Sequence, residues 1–271
     1  MITLVGNLLN SNNKKVLDKM NKMDFEFIRR EVVSQIEDGA EFIEINAVSL
    51  LSNEISFLKE AINIIESSGS KALVRSNNVE TLVQVLDMVK NEVVVGDIEF
   101  CKEKIDFLLD HIDGRNVKII AAIKDPKDEE DTSPEKSLLI AQRYVDYLLD
   151  QGIKRSDILL DPVVRPLEQH SENGKMFLST LELFKLDFPQ VKTIANLSAL
   201  SEGLPMRWLI SSNLVSLAIE KGLDYIVLDV MEKSIIESII TTLTIIGKDK
   251  NMQSYLSFCR NNRESRRNKG L

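Results

Sequence analysis

Histidine and cysteine are scarce in this chain, with two of each among 271 residues. His111 and His170 stand in no HExxH or comparable spacing, so a zinc centre would have to be gathered almost wholly from carboxylates. The same shortage argues against Ser-His-Asp chemistry, and no metal site is expected. Cys101 and Cys259 lie far apart and form no CxxC pair, which speaks against a disulfide framework and a thiolate zinc site. A basic excess is also missing. Lys and Arg number 34 against 42 Asp and Glu, a formal charge of −8, whereas nucleic-acid binding needs a basic face. No apolar run is long enough to span a bilayer, so no membrane association is expected. The N-terminal MITLVGNLLN has no basic region followed by a cleavable apolar segment, and cytoplasm is the default location.

What the chain does have is a hydrophobic content of 44%, enough for a large core. Eight short apolar runs recur: Ile2–Val5, Phe42–Ile45, Ala72–Val74, Val93–Val95, Val117–Ala121, Ile158–Leu160, Val191–Ala195 and Tyr225–Leu228. Amphipathic stretches separate them, among them Phe25–Asp38, Ser56–Ser68, Pro134–Gln151, Ser211–Lys221 and Ser234–Ile246. Strands alternating with helices predict parallel βαβ units. Eight such units in about 250 residues fit a single α/β domain, a (β/α)8 TIM barrel over residues 1–250. Residues 251–271 read as a helix docked through Tyr255, Leu256 and Phe258, followed by a basic, disordered tail carrying Arg260, Arg263, Arg266, Arg267 and Lys269. The acidic DPKDEEDTS (125–133) reads as a solvated loop, with Ser133-Pro134 as helix cap and first turn.

Polar residues follow the apolar runs almost without exception. They are Asn7 with Asn10, Asn46, Arg75, Asp97, Lys124 with Asp125, Asp161, Asn196 with Ser198, and Asp229. In a closed barrel these strand ends converge on the face where such folds keep their chemistry. KALVRSNN (71–78) is the sharpest case, an apolar strand that delivers a permanent cation at its exit. An isolated Arg75 would snorkel to water; in a barrel it points into a shared polar cup.

Four stretches carry a family resemblance: GAEFIEINAVS (39–49), ILLDPVVRP (158–166), TIANLSALSEGLPMRWLIS (193–211) and KGLDYIVLDVME (221–232). Together they resemble the pterin-binding barrels, specifically the methyltetrahydrofolate:corrinoid methyltransferases of anaerobic one-carbon metabolism. Dihydropteroate synthase is a more distant relative, and its SRK-type phosphate motif is missing here. The resemblance implies a pterin held at the C-terminal face by an Asp after the third strand, an Asn after the fourth, a DP pair after the sixth and a GxSN segment after the seventh. It implies no covalently bound cofactor, a corrinoid (cobalamin) carried by a partner protein, tetrahydrofolate as methyl carrier, and a homodimer.

Residue by residue the resemblance is uneven. The DP pair is Asp161-Pro162, the second-strand Asn is Asn46, Asn10 is kept, and Arg207 matches the arginine downstream of the seventh strand. The third-strand Asp position holds Arg75, the fourth-strand Asn position Gly96 and the seventh-strand Asn position Ala199, while Asn7 replaces a Glu. A slip of one residue would bring Asp97 or Asn196 into a binding role. A carboxylate accepts hydrogen bonds and a guanidinium only donates, so Arg75 sets donor against donor where a pterin presents its N–H groups. Losing one such charge-assisted bond costs about 1.5–3 kcal/mol.

These residues support two expectations. One is a methyltransferase moving a methyl group between a small donor, methyltetrahydrofolate or a more anionic compound, and a corrinoid protein. In it Asn196, Ser198 and Asp161 carry the reaction, while Asn10, Asn46, Arg75, Asp97, Asp161, Arg207 and Asp229 bind the substrate. The alternative is an inactive relative acting as scaffold or regulatory subunit, with Arg75 neutralised by Asp97 or Asp161.

Overall fold

The computed structural model describes residues 2–76, 78–124 and 133–268. The elements run β1 (Thr3–Asn10), α1 (Lys14–Asn21), α2 (Phe25–Glu37), β2 (Phe42–Asn46), α3 (Glu54–Ser67), β3 (Lys71–Arg75), α4 (Val79–Met88), β4 (Val93–Ile98) and α5 (Lys102–Leu109). They continue β5 (Val117–Ala122), α6 (Pro134–Asp150), β6 (Ile158–Asp161), α7 (Asn173–Asp187), β7 (Lys192–Asn196), α8 (Arg207–Glu220), β8 (Tyr225–Leu228), α9 (Lys233–Ile245) and α10 (Gln253–Asn268). The strands pair in parallel in sequence order, and β1 closes on β8. The expected (β/α)8 barrel is the fold of this chain.

Most of the strands are buried on both faces, β1 being the most open, which is why they read as short continuous apolar runs rather than alternating ones. One residue per strand (Val5, Phe42, Leu73, Val94, Ile120, Leu159, Ile194 and Val227) forms a separate apolar plug inside the barrel. The larger core lies between the strands and the outer helices, around Phe57, Ile62, Tyr144 and Phe184. At the N-terminal end of the barrel, Asp224 accepts from Lys185 (2.8 Å), Lys192 (2.7 Å) and the Thr193 backbone N–H (3.1 Å), tying α7, β7 and β8 together.

Most boundaries shift by a residue or two, and three departures matter for the site or the tail. β1 runs on to Asn10, because an irregularity between Gly6 and Leu9 lets it keep pairing with β2. The buried Gln35 fits against the bare face of Gly6, accepts from the Leu8 N–H at 3.2 Å and donates to the Glu31 carbonyl. α8 starts at Arg207 rather than Ser211, after Met206 turns the chain in the left-handed region (φ 50°). In α10, Tyr255 and Phe258 are half-buried, but Leu256 is exposed and takes no part in docking. Helix α10 extends to Asn268 and so takes in arginines read from sequence as tail; Lys269 lies outside the described residues, as does the acidic stretch 125–132. Ser133 does cap α6, accepting from the Lys136 N–H at 3.3 Å, with Pro134 in the first turn.

Candidate functional site

Side chains two residues beyond the apolar plug point the same way, into the barrel and toward its C-terminal mouth. Counting two along each strand from the plug gives Asn7, Glu44, Arg75, Gly96, Ala122, Asp161, Asn196 and Asp229. A polar layer thus sits directly on an apolar one. The structure divides it into two unlike halves.

In the first half, on β2, β3, β4 and β6, Arg75 is 8% exposed. Its Nε donates to Glu44 Oε2 at 2.9 Å and its Nη1 to Asp161 Oδ2 at 2.9 Å, with Asp97 Oδ1 3.7 Å from Nη1. Glu44 and Asp161 are as deeply buried, at 2% and 5% exposure. Asp161 Oδ1 also accepts from the Val163 N–H at 2.9 Å. Arg75 Nη2 is buried and finds no hydrogen-bond partner among the described residues. Burial alone would lower the Arg75 pKa, but Asp161, Glu44 and Asp97 outweigh it, so the pKa is raised and the guanidinium stays charged. Burial pushes Glu44 up, with Arg75 pulling the other way and losing. Asp97 reaches this cluster because β4 bulges between Gly96 and Ile98, with φ 85° at Asp97. It also accepts from Lys124 Nζ at 3.2 Å.

The second half, on β1, β7 and β8, is open. A groove of about 670 Å³ is lined by Asn7, Asn10, Asn196, Ser198, Arg207, Trp208 and Asp229, among others. Asn7 Nδ2 lies 3.5 Å from Asn196 Oδ1 and 3.4 Å from Ser198 Oγ. The Ser198 backbone N–H also donates to Asn196 Oδ1 at 3.2 Å. A backbone N–H can only donate, so the amide oxygen of Asn196 is the atom held inward, and its NH₂ has no hydrogen-bond partner among the described residues. Arg207 donates from Nη2 to the Ser198 carbonyl at 2.8 Å and from Nε to Ser201 Oγ at 3.3 Å, bracing the loop after β7. Burial raises the Asp229 pKa, opposed by the Met231 N–H that its Oδ1 accepts at 3.0 Å.

The residues expected to form one cup are therefore distributed. Arg75, Asp97 and Asp161 gather in the closed half; Asn10, Asn196, Ser198, Arg207 and Asp229 line the groove. Asn46 does neither, since its Oδ1 accepts from Ser11 Oγ at 3.4 Å and the Val48 N–H at 3.4 Å, closing the loops after β1 and β2 on each other. Asn10 uses its own Oδ1 on the Asn12 N–H. Of the two possible one-residue shifts, Asp97 turns toward the Arg75 cluster and Asn196 toward the groove. Glu44 was missed by the sequence reading. Its signal was a lone acid inside FIEIN, two residues from Phe42 and from Asn46 and so on their face. No group of His, Cys, Asp and Glu among the described residues could hold a metal ion.

The sequence profile of the family described as "Pterin binding enzyme" matches residues 6–229. The chain belongs to that family. Within it, a curated relative from Eubacterium limosum, a methylcorrinoid:tetrahydrofolate methyltransferase, is 25% identical over 255 residues, 93% of this chain and 94% of the relative. Among solved structures, a dihydropteroate synthetase with its product aligns over 90% of this chain and 94% of its own, with TM-score 0.66 and 11% identity. Dihydropteroate synthase from Anaplasma phagocytophilum, with bound 6-hydroxymethylpterin-monophosphate, aligns over 89% and 99% with TM-score 0.61 and 17% identity. At those identities the structures speak for the pterin-binding fold alone.

Proposed function

We propose that this chain is a corrinoid-linked methyltransferase whose small methyl donor or acceptor lies in the groove between β1, β7 and β8. A partner corrinoid protein would cover the mouth and supply the cobalt chemistry. The observation that carries the reading is the open, amide-lined groove on the C-terminal face, in a chain whose relative is named for methyl transfer between a corrinoid and a folate.

The chain's own contribution is hydrogen bonding at the heteroatom that loses or gains the methyl group. When a methyl leaves, the bonding electron pair stays on that atom, and a donor aimed at it stabilises the charge as it develops. Asn7 and the Ser198 N–H occupy the acceptor oxygen of Asn196, which leaves the Asn196 NH₂ to donate into the groove. The Ser198 hydroxyl is a second donor, its oxygen facing the Asn7 amide. Arg207 holds the backbone that carries both. Asp161 takes a different part from the one expected of it, since its oxygens are bound to Arg75 and to the Val163 N–H and it positions Arg75. Nor is Arg75 available to an anionic donor, because its charge faces carboxylates.

The test is methyl transfer to cob(I)alamin, followed by its absorbance, from methyltetrahydrofolate and from a panel of methylated amines, phenols and carboxylates. Turnover with one of these, lowered about 100- to 1,000-fold by Asn196→Ala in a folded variant, is the expected result. The closed Arg75 cluster favours a second reading, a scaffold for a corrinoid protein. Tight binding of such a protein without transfer from any donor would decide for it.

A further inference from the structure

We infer that Arg75 is a built-in occupant of the barrel centre, making there the hydrogen bonds an aminopyrimidine edge would make, so that the protein excludes a pterin from that position. The inference rests on the family assignment, and it sets this chain's residues against the ligand the family is named for.

The first support is the direction of the acceptors. Glu44 and Asp161 each bond the guanidinium at 2.9 Å, and Asp97 stands 3.7 Å from Nη1. Three of the four carboxylates of the polar layer and its bulge thus face Arg75, while the fourth, Asp229, lines the open groove. The second support is chemical. The 2-amino-4-oxo edge of a pterin presents an exocyclic amino group beside a ring N–H, a planar array of donors on one carbon. A guanidinium presents the same array with a full charge. Ligand and side chain compete for the same oxygens, and the side chain is covalently present.

Space points the same way. The open groove is walled by Asn7 and Asn196, and Arg75, Glu44 and Asp161 form no part of its lining. Nor can β4 supply a substitute contact from the position of the family's asparagine. A Cβ on Gly96 would stand 2.6 Å from both the Cβ and the carbonyl oxygen of Ile120. The bulged Asp97 is the group that reaches inward, toward Arg75 and Lys124. Expelling the guanidinium would leave a buried cation without its partners, so displacement by a neutral ring is strongly disfavoured.

The test is a pair of binding titrations with tetrahydrofolate as probe, on the wild type and on Arg75→Gly. Because Arg75→Gly leaves several carboxylates unmatched, Arg75→Gly/Glu44→Gln serves beside it, removing one carboxylate with the cation. Circular dichroism checks that each is folded. Thermal unfolding with low millimolar guanidinium chloride then asks whether the free ion refills the place. The expected result is tetrahydrofolate binding at least about 100-fold tighter in a folded variant than in the wild type, with guanidinium raising the Tm of that variant and not of the wild type. Wild-type binding as tight as the variants' would overturn the inference. So would folded variants that gain neither tetrahydrofolate nor guanidinium. These readouts involve no turnover, so a failed methyl-transfer assay leaves them standing, and their failure leaves the groove reading to its own assay.

Discussion

Gly96 and Arg75 occupy paired positions on neighbouring strands, and both differ from what the family resemblance implies. At Gly96 the absent side chain is a matter of space, since a Cβ would run into the backbone of β5. Placing there the asparagine that the resemblance implies, with Gly96→Asn, should therefore overpack the barrel and cost about 1–3 kcal/mol, read as a lowered Tm without any gain in folate binding. Retained stability would mean that β4 can shift away from Ile120. Arg75 was legible from sequence because an apolar strand ending in a cation is conspicuous. Its partner Glu44 was not, since an acid in mid-strand reads first as part of a buried apolar run, and only its two-residue spacing from Phe42 and Asn46 sets its face. Asp97 was ambiguous for a related reason: a bulge moves a side chain across the sheet without leaving a mark in composition.

Among the elements, the strands were the most legible and the edges of the helices the least. The eight apolar runs lie on the eight strands, most with a residue or two of disagreement, because burial on both faces writes itself into each run. β1 is the exception, as Asn7 interrupts its apolar run while Gln35 repairs the backbone from α2. Removing that amide with Gln35→Ala should leave the Leu8 N–H without its partner, cost about 1–3 kcal/mol in urea unfolding, and disturb Asn7 in the groove. The junction of α7, β7 and β8 makes a pH prediction. Burial opposes the charge of Asp224, yet the hydrogen bonds from Lys185 and Lys192 outweigh it, and its pKa falls below the ordinary 3.8. A carboxyl whose folded pKa is depressed adds stability above its unfolded value and loses it as pH falls through the folded one. Asp224→Asn should thus cost about 1.5–3 kcal/mol near neutral pH, and the gap to wild type should narrow below about pH 3.8. A gap that is constant through the acid range would count against the ion cluster.

At the scale of the whole molecule, closure of the barrel was readable because eight units of this length leave few other arrangements. The division of its mouth was not readable. Sequence places Asn10, Arg75, Asp97, Asp161, Asn196 and Asp229 on one face, but which of them face each other depends on the stagger of the closed sheet. That stagger sets a sealed ion cluster on one side and an open amide-lined groove on the other. The proposed function follows from this division, with methyl chemistry proposed for the open side and Arg75 on the sealed side as the inferred barrier to a pterin. Exposed ion pairs weaken in salt, whereas a cluster this deeply buried should hold its geometry across ordinary ionic strengths.

Nitrogen-15 NMR of the arginine side chains tests the sealed side most directly. The account predicts one arginine Nε–H resonance, lost in Arg75→Lys, that exchanges with solvent far more slowly than the others at neutral pH and whose Nη nitrogens are inequivalent. An Arg75 signal averaged by rotation and by exchange with water, like those of surface arginines, would contradict it.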